Sequence, residues 1–165
     1  MFTRHYAHWP PGVPKTLSVP RTSLYYNLEV SARRYPDKCA IQYYGTRLDY
    51  AELARSAEAL AGYLQRACGV GRGDRVLLYA QNSPQFVIGY YAILRADAVV
   101  VPVNPMNRAE EFTHYITDPN ARVVVCSADL AAIVAAANDA VPADQRLQHA
   151  HDFGTLLITR DRVEV

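Results

Sequence analysis

Residues Gly73 to Pro105 read Gly-Asp-Arg-Val-Leu-Leu-Tyr-Ala-Gln-Asn-Ser-Pro-Gln-Phe-Val-Ile-Gly-Tyr-Tyr-Ala-Ile-Leu-Arg-Ala-Asp-Ala-Val-Val-Val-Pro-Val-Asn-Pro. Val76 to Ala80 and Ala98 to Val103 are short apolar runs, and a helix start signal lies between them, so the stretch reads as strand, helix, strand. Ser83 suits the N-cap and Pro84 the first helical position, where a missing N–H leaves no hydrogen bond unmade. Phe86, Tyr90, Ile93 and Leu94 fall on one face, and Val87, Ile88 and Tyr91 extend the apolar surface, which predicts a largely buried helix. Neither strand alternates with polar residues, the pattern of a parallel sheet covered on both sides by helices. The crossover is expected to be right-handed.

Three pieces of this region occur together in a known order. Gly73-Asp74-Arg75-Val76, Gln81-Asn82-Ser83-Pro84-Gln85-Phe86, and Val99 to Val103 leading into Asn104-Pro105 closely resemble the N-terminal region of adenylate-forming enzymes, the acyl-CoA synthetases in particular. The resemblance runs from about residue 9 to about residue 130. It also takes in Arg34-Tyr35-Pro36-Asp37-Lys38 and Tyr50-Ala51-Glu52-Leu53, and it reads Trp9-Pro10-Pro11-Gly12-Val13-Pro14 as the leader of bacterial long-chain fatty-acid CoA ligases.

The resemblance implies an intact enzyme that uses ATP, magnesium and coenzyme A to convert a fatty acid or other carboxylate into an acyl-CoA, with AMP and pyrophosphate released. It also implies a Ser/Thr/Gly-rich phosphate loop, adenine and ribose motifs and a C-terminal catalytic lysine, none of which these 165 residues contain. The expectation is therefore a fragment of an AMP-forming ligase, inactive alone, with no catalytic, cofactor-binding or metal residue of its own. A stand-alone α/β binding or regulatory module, and an unrelated nucleotide-binding α/β domain, are the competing readings.

Composition fits one α/β domain. At 165 residues and 50% hydrophobic content the chain can build a proper core, since domains of about 150 residues bury roughly 70% of their unfolded surface. The 17 basic and 16 acidic residues are interspersed, giving net charge +1 and no electrostatic footprint for nucleic acid. Cys39, Cys68 and Cys126 are odd in number and widely spaced, so reduced, mostly buried thiols are expected in place of a disulfide framework. No stretch approaches the roughly 20 apolar residues of a membrane span and no signal-peptide h-region is present, which favours the cytoplasm.

The organisation expected is an extended Pro-rich arm over 1–22, an α/β subdomain over 23–147 and an uncertain tail over 148–165. In the arm, Pro10, Pro11, Pro14 and Pro20 argue against helix. Ser23 or Thr22 can cap a helix over Leu24 to Arg34 with Leu24, Leu28 and Ala32 inward, and Cys39 to Asp49 reads as a hairpin turning at Gly45-Thr46. Asp49 and Glu52 form a capping-box pair before a stripe of Leu53, Ala57, Leu60, Ala61 and Leu64. Gly69-Val70-Gly71-Arg72-Gly73 follows a helix and opens a strand, the reverse of a dinucleotide fingerprint, so it is a connection and not a phosphate loop.

Further helices are expected at 109–117, with Phe112, Tyr115 and Ile116 inward, and at Ala128 to Ala137 capped by Ser127, with a strand at Arg122 to Cys126 between them. Asp97 and Asn120 stand where the family commonly has glycine, and both tolerate the left-handed conformation. From about Gln148 the resemblance fails. His149, His151 and Asp152 carry metal-ligand residue types, and two histidines at i and i+2 share one side of a strand, but without a fixed scaffold they read as a solvated tail. A weak strand is expected at Thr155 to Ile158. The twelve tyrosines lack the basic groove of a nucleic-acid stacking platform and suit packing. Because a parallel sheet needs covered faces and protected edges, self-association, in the simplest case a homodimer, is expected of the isolated chain.

Overall fold

The computed structural model describes residues 3–154 together with 157, 158, 163 and 164. Four parallel strands form the central sheet: β3 (Arg75–Tyr79), β4 (Val99–Val103), β5 (Val123–Cys126) and β6 (His149–Asp152), in the spatial order β4-β3-β5-β6. Ahead of them, β1 (Cys39–Tyr43) and β2 (Thr46–Asp49) make an antiparallel hairpin. Its two-residue turn is Tyr44-Gly45, both at positive φ (43° and 84°), one residue earlier than the glycine alone suggested. The fold is thus the expected three-layer α/β sandwich with a small N-terminal hairpin.

The strand alternation sorts the core into two layers. Val76, Leu78, Val123 and Val125 face α1 (Leu24–Arg34), α2 (Tyr50–Arg66) and α3 (Pro84–Arg95), whereas Leu77, Tyr79, Val124 and Cys126 face α4 (Ala109–Thr117) and α5 (Ala131–Ala140). All eight are essentially removed from water. Such a layer excludes water from both sheet faces and makes the strands' backbone pairing obligatory.

Local signals set the helix boundaries. Ser23 Oγ accepts from Tyr26 N–H and Ser83 Oγ from Phe86 N–H, both at 3.3 Å, and Pro84 follows its cap at the first helical position. The Asp49–Glu52 box closes in both directions at 2.7 and 3.0 Å. Asp97 and Asn120 sit at φ 59° and 53°. At the first, Ala98 N–H returns to the Ile93 carbonyl and Asp97 N–H to Leu94; at the second, Ala121 returns to Ile116 and Asn120 to Thr117. Both are Schellman ends in which Asp and Asn replace glycine.

Several expectations are corrected. In α1 the buried residues are Tyr25 and Leu28, while Leu24 is 57% exposed, so the helix is rotated by about one position. In α3 the deepest residues are Ile88, Gly89, Ala92 and Ile93; Phe86, Tyr90 and Leu94 lie half-buried beside them, because the small Gly89 and Ala92 let the helix approach the sheet. Strand β4 lies at the edge of the sheet, with Val99 exposed and Val103 buried. Ser127 opens a 3-10 turn (Ala128–Leu130) without a side-chain cap, so α5 begins three residues later than expected.

The arm is not extended throughout. Arg4–His8 forms a 3-10 turn ahead of the first proline, with Tyr6 Oη donating to the Lys15 carbonyl and Trp9 Nε1 to the Val13 carbonyl. Residues 149–152 form β6 and not a tail, in register with β5 from Val123↔His149 to Cys126↔Asp152. Of the strand expected at Thr155 to Ile158, Thr155 and Leu156 lie outside the described residues, and Leu157–Ile158 pairs with Val163–Glu164.

Candidate functional site

Open α/β sheets bind ligands at the carboxyl ends of their strands, where the connections diverge to opposite sides. Here that point lies between β3 and β5, since β3 leads through α3 to β4 on one side and β4 leads through α4 to β5 on the other. The ladder runs on past the last paired residues there. Ser127 N–H donates to the Tyr79 carbonyl at 2.9 Å, Phe153 N–H to the Cys126 carbonyl at 2.9 Å, and Tyr79 Oη to the Asn107 carbonyl at 2.6 Å. Ser83 is occupied as a helix cap. Among the described residues this end presents no glycine-rich loop that would cradle a triphosphate.

Chemically reactive groups converge instead on the α2 face of β6. The β5–β6 register places His149 beside Val123 and His151 beside Val125, hence on the face covered by α2, and sends Ala150 and Asp152 to the opposite face. Just past the end of α2, Cys68 turns inward, 8% exposed, before Gly69 adopts φ 65° and leads the chain towards β3. Cys68 Sγ stands 3.5 Å from His151 Nε2, and Tyr63 Oη stands 3.3 Å from the same nitrogen. The His149 and His151 rings stack at 6.0 Å, and ligand atoms of Cys68, His149 and His151 all lie within 4.8 Å of one another.

Burial sets the electrostatics. It pushes the Cys68 thiol up to about 11 and raises the Tyr63 phenol, with the neighbouring Cys68 adding to the latter. Burial, reinforced by the adjacent His149, lowers His151, against the opposing pull of Asp152. At neutral pH the cluster is therefore a protonated thiol, a protonated phenol and a neutral His151 imidazole with a lone pair to offer. Beside it, a cleft of about 150 Å³ opens at the amino end of the sheet, lined by Cys68, Asp74, Arg75, Arg122 and Gln148 among others.

Sequence reasoning grouped His149 and His151 correctly on one side of a strand, and the structure keeps them together. Asp152 is separated from them by the strand alternation, and Cys68, 83 positions from His151, was missed as a partner. Its signal was limited to being a cysteine beside the helix-ending Gly69.

The family profile described as AMP-binding enzyme matches residues 28–162. The chain is 37% identical over 119 residues to a long-chain-fatty-acid--CoA ligase of Bacillus subtilis (strain 168), covering 72% of this chain and 21% of that protein. It is 34% identical over 124 residues to the enzyme of the same description from Escherichia coli O6:H1, covering 74% and 22%. Its fold matches the crystal structure of the N-terminal domain of FACL13 from Mycobacterium tuberculosis with TM-score 0.73 and 26% identity, over 81% of this chain and 34% of that one. The chain thus spans about a fifth of the length of the curated relatives it matches.

Proposed function

The chain belongs to the AMP-binding enzyme family, and on that premise we propose that it is the N-terminal part of an AMP-forming fatty-acid CoA ligase. The observation that carries this is the 37% identity over 119 residues to a ligase of that description. In the intact enzyme a fatty acid would be joined to coenzyme A with ATP and magnesium. In this reading ATP and its metal are held by other parts of the intact enzyme. No step is therefore assigned to this chain's side chains. Its role is to build the scaffold against which the catalytic parts pack. Among the described residues no helix is long and apolar enough to cross a membrane; cytoplasmic residence is part of the proposal.

A chimera tests the reading. Replacing the matching 119 residues of the Bacillus subtilis ligase with this chain should preserve acyl-CoA formation from a fatty acid. A folded chimera that activates no member of a carboxylate panel would overturn it. The chain alone should show no pyrophosphate exchange; turnover above a denatured control would remove the claim of inactivity.

The self-contained packing, with both sheet faces covered by the chain's own helices, favours a second reading, a stand-alone α/β binding or regulatory module. A folded, inactive chimera would favour it. Self-association of the isolated chain is carried in both readings as part of the proposal. Light scattering over a dilution series measures it, and a monomer at every concentration removes it.

A further inference from the structure

We propose that Cys68, His149 and His151 form a binding site for a divalent transition-metal ion of the zinc class, clipping the end of α2 to the edge strand β6. This site stands apart from the ligase reading and does not depend on it.

The donor set selects the ion. One thiolate and two imidazoles are soft-to-borderline ligands that suit zinc and its transition-metal neighbours, whereas magnesium and calcium require oxygen. With Zn–S near 2.3 Å and Zn–N near 2.05 Å, a tetrahedral site separates sulfur from nitrogen by about 3.6 Å. Cys68 Sγ and His151 Nε2 stand 3.5 Å apart. The three ligand atoms lie within 4.8 Å of one another, so small side-chain rotations close the remaining edges.

The scaffold makes the cluster more than a coincidence of exposed side chains. His149 and His151 are fixed at i and i+2 by four consecutive paired positions with β5, and Cys68 is buried where the chain leaves α2. Tyr63, one turn before the end of that helix, points its hydroxyl at the same His151 nitrogen. The Tyr63 hydroxyl and the Cys68 sulfur thus converge on one His151 nitrogen, at 3.3 and 3.5 Å. An ion bound there would lie within reach of all three groups. It would take Cys68 Sγ and one ring nitrogen each of His149 and His151 as ligands, with a water at the fourth position. Three protein ligands and one open position is the arrangement that leaves a zinc ion accessible to a further ligand.

Titration of the chelator-treated 165-residue chain with cobalt(II) and with zinc(II) tests the site. The expected result is one equivalent bound, the intense visible bands of tetrahedral cobalt, a near-ultraviolet cobalt–thiolate charge-transfer band, and a zinc-dependent rise in Tm. Cys68→Ser should abolish the charge-transfer band and weaken binding by at least about 100-fold, since even supporting residues around metal ligands account for about 10–100-fold. His149→Ala, at a half-buried edge position, provides a second variant whose fold is retained if Cys68→Ser unfolds; it should weaken binding comparably. His114→Gln, on α4, should change nothing. A folded wild-type chain that binds no ion, an octahedral cobalt spectrum, or unchanged affinity in the folded variants would overturn the proposal and leave a hydrogen-bonded Tyr–His–Cys cluster.

Discussion

Gly89 lies directly over Leu78: a β-carbon on Gly89 would stand 2.8 Å from Leu78 Cδ1 and 3.1 Å from Phe153 Cζ. Leu78 is fully buried in the strand at the centre of the fold, so it has little room to withdraw. The glycine is a contact requirement, since its backbone is helical and α3 runs through it unbroken.

Gly89→Ala sets two effects against each other. Alanine gains roughly 1 kcal/mol in a helix interior, while overpacking a close-packed core costs about 1–3 kcal/mol. Because the clash involves a buried side chain, the net result should be a loss of up to about 2 kcal/mol by urea denaturation. In a Leu78→Ala background the clash is gone and the same substitution should become neutral or stabilising. Equal effects in both backgrounds would mean that the two residues are not in contact.

The strand order ranks two further substitutions. Val124 lies in β5, an interior strand, fully buried between the Leu77 and Ala150 positions, whereas Val100 lies half-buried on the edge strand β4. Val124→Asp strands a carboxylate with no partner and should cost several kcal/mol, enough to unfold much of the population. Val100→Asp should cost about 1–2 kcal/mol, because its carboxylate can turn to water. Comparable losses in denaturation would place Val100 in the interior.

Tyr25 gives the stability a specific alkaline dependence. The residue is 5% exposed, and its hydroxyl donates to Glu58 Oε1 at 3.2 Å. Burial first, then the Glu58 carboxylate, raises it from 10.0 to about 12, against the opposing pull of Arg95. A folded value above the unfolded one means that this contribution is complete below pH 10 and is lost as pH rises to 12. Because Glu58 and Arg95 are more than half exposed and solvent screens them, the loss across that window should be about 1–2 kcal/mol. Tyr25→Phe should shift the overall level through the lost hydrogen bond and flatten this part of the profile. Parallel wild-type and variant profiles between pH 9 and 12 would refute the assignment.

The legible parts of the fold are those written in local chemistry. Ser23, Ser83 and Asp49 cap the helices they precede, and Asp97 and Asn120 take the left-handed conformation where glycine is usual. These depend on neighbours within a few residues. What was missed depends on partners far along the chain. His-Ala-His-Asp looks like solvated polar sequence, yet an edge strand needs burial on fewer sides, and β5 supplies the pairing. The approach of Cys68 to His151 follows from the β5–β6 register and the exit of α2, neither of which leaves a trace near either residue. The rotation of α1 and α3 has the same origin: both helices are apolar on more than one face, and packing chose the side that admits Tyr25 in one and Gly89 in the other.

Pro102 guards the open edge. Val99 N–H donates to the Asp74 carbonyl at 2.8 Å, so its N–H points at β3, and strand alternation turns the nitrogens of Val100 and Pro102 outward. The proline thus removes an outward donor from a Val-Val-Val-Pro-Val segment without breaking a bond to β3, which is how edge strands resist pairing with another chain. Pro102→Thr restores that donor in a strand that is apolar, uncharged and β-branched, a combination prone to edge-to-edge association. Thermal stability at high dilution should change by less than about 1 kcal/mol, since the position is exposed and the ladder to β3 is intact. Light scattering should nevertheless show larger particles than the wild type at every concentration, with the difference growing as concentration rises. If the two proteins scatter alike, the outward edge of β4 is blocked by something other than Pro102, and self-association must use another surface.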